Sequence, residues 1–141
     1  MRKRIWMLRL ACLLGLLVLA GCTASKTDPE ESAGTAKDAY EQITPAQAKE
    51  LMDNEVNVIV LDVRTEEEYH AGHIEGAVLI PDYEIGEKAE SMLTDKEQLI
   101  LVYCRSGRRS RNAAGELAAL GYTNIKEFGG ILDWAYETVS E

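Results

Sequence analysis

The stretch CRSGRRS, Cys104 to Ser110, places a thiol, a glycine and three arginines within seven positions of a chain whose net charge is −9. An apolar run, QLILVY (98–103), leads into the cysteine, and RSRNAAGELAALG leads away with the composition of a helix ended by Gly121. Cys104 therefore falls at a strand-to-loop turn beside a helix N-terminus. Gly107 lets the intervening amides turn inward as an anion nest. Such surroundings favour thiolate over thiol and bring cysteine from about 8.5 down to about 3.5–7.5. The chemistry this implies is nucleophilic attack by sulfur, with arginines holding an anionic substrate. The plain alternative is a small buried cysteine beside a solvated arginine face. It leaves the clustering of arginine in so acidic a chain unexplained.

The elements that must position this loop alternate along the chain. Thr44 and Pro45 open a helix in ITPAQAKELMD. NVIVLDV (57–63) is a strand buried on both faces. Thr65-x-x-Glu68 opens a short helix that stops at Gly72. GAVLIP is a second strand, EIGEKAESML a weaker helix, NIKEF a further strand, and ILDWAYETV a closing helix. This alternation predicts an α/β domain with a mainly parallel sheet. In such sheets the crevice lies beyond the carboxyl ends of the strands, where Asp62, Arg64 and Cys104 fall.

The N-terminus suggests export. MRKRIWMLR is basic and LACLLGLLVLAGC is apolar, which reads as a signal peptide over residues 1–21. Leu19-Ala20-Gly21-Cys22 resembles the lipobox of bacterial lipoproteins, which implies cleavage before Cys22 and a membrane anchor through its lipid. The domain expected at cell-envelope membranes, on the extracytoplasmic face, would then be 40–141, behind a tether over 22–39. Extended, residues 23–37 reach roughly 50 Å at about 3.3–3.6 Å each. Loss of Arg2, Lys3, Arg4 and Arg9 takes the net charge from −9 to −13, which argues against nucleic-acid partners. Cys12 leaves with the signal and Cys22 takes the lipid, so Cys104 remains as a lone thiol. One cysteine and two histidines offer no zinc-ligand spacing, and no metal is expected.

The segments ITPAQAKELM, VIVLDVRTEEEYHAGHIEGAVLIP, CRSGRRS and LGYTNIKEFGGILDW together resemble the rhodanese-like sulfurtransferases, over about residues 40–138. The resemblance implies a single, doubly wound domain with a five-stranded parallel sheet, acting as a monomer without a cofactor. It makes Cys104 the nucleophile that carries a sulfane sulfur as a persulfide. Arg105, Ser106, Gly107, Arg108 and Arg109 become the loop around that sulfur and its donor. The implied donor is thiosulfate or a similar small anion, and the acceptor is cyanide or a thiol. Asp62 and Arg64 read as a bracing Arg–carboxylate bridge, with Glu68 as its further carboxylate. His73 reads as a packed turn residue rather than a general base. A phosphatase or arsenate reductase loop, Cys-x5-Arg, would need arginine where Ser110 stands. A Cys–His hydrolase of Cys104 and His73 lacks a third, orienting residue. A persulfide carrier would share every residue named here with an enzyme.

Overall fold

The structure, a computed structural model, describes residues 39–141. The signal segment, Cys22 and the tether lie outside the described residues. Five parallel strands form one sheet in the order β1-β5-β4-β2-β3. They are β1 (Glu41–Gln42), β2 (Ile59–Asp62), β3 (Val78–Leu79), β4 (Ile100–Cys104) and β5 (Ile125–Gly130). The helices are α1 (Pro45–Asn54), α2 (Glu66–Ala71), α3 (Ile85–Met92) and α4 (Arg108–Ala119). This is the doubly wound α/β architecture that the resemblance implied.

Strand β4 lies between β5 and β2, and all five of its residues are buried. Its alternating side chains feed two cores. Ile100, Val102 and Cys104 pack with Ile85 and Ala89 of α3 and with Ala113, Ala114 and Leu117 of α4. Leu101 and Tyr103 pack on the opposite face with Ala48 of α1, Tyr69 of α2, Phe128 and Trp134. Cys104 is thereby directed to the face that carries α4.

Both expected helix starts close as capping boxes. Thr44 and Gln47 exchange hydrogen bonds at α1, and Thr65 and Glu68 do so at α2. Two readings from the sequence need correction. The residues read as strands number four; β1 is a fifth, whose two exposed residues carry no apolar pattern. It exists because Glu41 and Gln42 find β5 partners in Lys126 and Glu127. The closing helix is absent. Ile131–Asp133 make a single 3-10 turn, after which Trp134 turns extended and packs on Phe128. Val139 pairs antiparallel with His73, drawing the backbone away from helical bonding.

Candidate active site

The end of β4 meets an irregularity in β5: Val102 pairs with Glu127, but Cys104 pairs with Gly130. The extra residue bends β5, and Gly129 takes φ +89° there. The bend brings Gly130 hard against the loop. A Cβ on Gly130 would lie 2.5 Å from the Ser106 Cα and closer still to the Arg105 carbonyl oxygen. Gly107 takes φ +94° as the residue before α4, and its amide donates to the Cys104 sulfur at 3.0 Å. Hydrogen bonding from Ser110 and from the Ser106 amide also favours the charged sulfur. Burial pushes the thiol up, but these hydrogen bonds outweigh it and hold Cys104 below its ordinary value.

Around the mouth the arginines differ. Arg105 and Arg108 are exposed. Arg109 forms a two-pronged pair with Glu68, at 2.7 and 2.8 Å. The Glu68 carboxyl is lowered to about 2, chiefly by Arg109, with further help from Thr65. The bracing bridge anticipated for Arg64 thus divides: Glu68 serves Arg109, while Arg64 pairs with Asp62. A shallow cleft of about 270 Å³, lined by Arg64, Glu68, Gly72, Arg105, Ile131 and Leu132, adjoins the loop.

Beneath this platform Asp62 and Arg64 are buried and joined by contacts of 2.6 and 3.0 Å. Arg64 also donates to the Gly72 carbonyl at 2.7 Å. The Tyr103 hydroxyl donates to Asp62 at 2.6 Å and accepts the Ile74 amide at 3.2 Å. Burial, then the Asp62 carboxylate, pushes the Tyr103 phenol far up, so it stays a donor. The network ties β2 and β4 to the 72–74 turn. His73 belongs to that turn. Its Nδ1 donates to the Tyr69 carbonyl at 2.9 Å, and its ring stacks on Tyr69 at 3.7 Å. Its ring is therefore engaged with Tyr69 rather than with Cys104.

Three buried groups that brace the site were not singled out from the sequence as site residues: Ser110, Tyr103 and Glu127. Glu127 had a visible signal, as an acid amid the apolar residues of a strand. It is 3 % exposed, with its carboxylate 2.5 Å from the Ser110 hydroxyl.

A family model described as a rhodanese-like domain matches residues 44–137. The chain is 38% identical over 79 residues to the thiosulfate sulfurtransferase PspE of Escherichia coli, covering 56% of this chain and 76% of that protein. It is 32% identical over 112 residues to thiosulfate sulfurtransferase 18 of Arabidopsis thaliana, covering 70% of this chain and 80% of that one. Among solved structures, one titled "rhodanese with anions from E. coli" superposes with a TM-score of 0.56 at 36% identity. It covers 60% of this chain and 99% of the other.

Proposed function

The chain belongs to the rhodanese-like domain family, and from that premise we propose that it is a sulfurtransferase working through a persulfide on Cys104. The observation that carries this reading is the buried Cys104 sulfur at the end of β4, which accepts the Gly107 amide at 3.0 Å beside the N-terminus of α4. A thiolate held in this way can attack the outer sulfur of thiosulfate or a similar sulfane donor. A bond forms between Sγ and that sulfur as the donor's S–S bond breaks, and the bonding pair leaves with sulfite. Cyanide or a thiolate acceptor then attacks the outer sulfur of the persulfide. The second S–S bond breaks, and its pair returns to Cys104. Splitting the transfer into two displacements is covalent catalysis, and it gives ping-pong kinetics.

Arg105 and Arg108, exposed beside the sulfur, supply the positive field that gathers an anionic donor. Arg109 is engaged by Glu68 and shares an electrostatic interaction with the Cys104 charge. The sixth residue after Cys104 is Ser110, not the arginine of a Cys-x5-Arg phosphatase loop. We read the lipobox-like Leu19–Cys22 as fixing the protein to a membrane through Cys22, with small extracytoplasmic sulfur compounds as its donors.

The test is to incubate purified residues 23–141 with thiosulfate and weigh the intact protein. The wild type should gain one sulfur atom and Cys104→Ser none. No gain with any sulfane donor, alongside hydrolysis of a phosphate ester, overturns the reading.

A further inference from the structure

The second displacement brings an acceptor to the outer sulfur of the persulfide, and the body of that acceptor must lie against the protein beside the loop. Cys104 and Gly130 are register partners at the ends of β4 and β5. The residues that follow them, Arg105 and Ile131, both line the cleft of about 270 Å³. The Leu132 amide donates to the Arg105 carbonyl at 3.3 Å, so the 131–132 wall is bonded directly to the active loop. Ala71 and Gly72, at the end of α2, line the same cleft. Four larger clefts lie elsewhere among the described residues, and none of them is lined by a residue between Cys104 and Ser110. Location, not size, singles out the cleft beside Arg105.

Its lining says what would be recognised there. Three of the residues carry charge. Arg64 is committed to Asp62 and to the Gly72 carbonyl, and Glu68 is committed to Arg109. Arg105 is exposed and, among the described residues, forms no ion pair. The rest of the lining is uncharged and apolar, and Leu132 leaves 65% of its surface to water. Covering that side chain removes apolar surface from solvent. The volume falls below the roughly 300–1,000 Å³ of sites for drug-sized ligands, which suits a short chain. One ligand is thus offered an apolar strip and a single free cation.

We propose that this cleft is the acceptor subsite, and that the acceptor is a short organic thiol bearing a carboxylate, with its apolar chain along Ile131 and Leu132 and its carboxylate on Arg105. The assignment rests on the sulfur-transfer reading and names the class of thiol within it. Arg105 serves donor and acceptor in turn, since sulfite has left before the acceptor arrives. The acceptor thiolate forms a bond to the outer sulfur of the persulfide. The S–S bond to Cys104 breaks, its electron pair returns to Sγ, and the product is an organic persulfide. Cyanide has neither chain nor carboxylate and draws nothing from the subsite.

The test uses the full chain, with Cys104→Ser as the blank for Cys12 and Cys22. The protein is loaded with thiosulfate, the gain of sulfur is confirmed by intact mass, and the donor is removed. Discharge of the persulfide is then timed with mercaptohexanoate, mercaptopropionate and mercaptohexanol, each with its thiol at the chain end and all at equal thiolate concentration. Three extra methylenes, partly covered by Leu132, should make mercaptohexanoate about five- to tenfold faster than mercaptopropionate. Its carboxylate should make it about two- to fivefold faster than mercaptohexanol at low salt, an advantage that fades at high salt. In loaded protein, Leu132→Ser should remove the chain-length advantage, and Arg105→Ala the carboxylate advantage. Mercaptohexanoate that only matches one of the other two thiols, or a chain-length advantage that survives Leu132→Ser, overturns the subsite. Failure to gain sulfur at loading overturns the sulfur-transfer reading and the subsite with it, whereas loading followed by equal discharge refutes the subsite alone.

Discussion

Glu68→Gln isolates the ion pair at the mouth of the site, because the substitution keeps the helix cap. Glutamine closes the same box at α1, where Gln47 answers Thr44. The amide introduced by Glu68→Gln can therefore still accept from Thr65 while losing its charge toward Arg109. The carboxyl stands at about 2 against an ordinary 4.5, a difference worth about 3 kcal/mol before solvent screening. The side chains of Arg109 and Glu68 are 19% and 28% exposed. Solvent screening therefore reduces the net contribution to about 1–2 kcal/mol, the upper end for a two-pronged pair. The sign follows from the lowered value. Above about 4.5 the carboxylate is charged in both folded and unfolded chains, and the whole contribution is present. As pH falls toward about 2 the unfolded chain takes up the proton first, and the contribution drains away.

Urea unfolding of wild type and Glu68→Gln across that range measures the difference directly. The gap should be about 1–2 kcal/mol at neutral pH, begin to close near 4.5 and vanish near 2, with no change in the denaturant slope. Equal stabilities at neutral pH would refute the reasoning. So would a gap that persists undiminished in acid, since it would then come from packing rather than charge.

Two further outcomes are expected. Gly130→Ala suits the local backbone, at φ −134°, but its methyl must displace the Arg105–Ser106 main chain. It should cost about 1–3 kcal/mol in urea unfolding and slow sulfur loading, whereas unaltered loading would show that the close approach is not needed. Cys22→Ala should leave the protein unprocessed or free of the membrane fraction, and mass spectrometry of the wild-type N-terminus should find a lipidated Cys22; an intact signal segment there rejects the anchor.

What was legible in the sequence was local or periodic. β4 announces itself as an apolar run because it is buried on both faces, and the α1 and α2 caps are readable because their partners lie three residues apart. The loop chemistry was legible because its groups are consecutive. What escaped depends on register between distant segments. β1 has no pattern of its own and is defined by β5. The closing segment has helical periodicity, but burial of Trp134 and pairing of Val139 with His73 override it. Glu68 and Arg109 are 41 positions apart, and the choice of Arg109 over Arg64 is made by the packing of α2 beside the loop. Ser110 and Glu127, 17 positions apart, meet only because β5 lies next to β4.

The charge distribution limits what this site can hold. Arg105, Arg108, Arg109 and Arg111 lie within seven positions of a chain carrying −9 overall. Glu68 engages Arg109, so the free positive field near the sulfur comes chiefly from Arg105 and Arg108. At physiological salt such a field fades within about 8 Å. A small anion fits wholly within that reach, and its negative atoms meet arginine before they meet the acidic body. On the sulfur-transfer reading proposed above, the donor is accordingly an anion small enough to be covered by the loop alone.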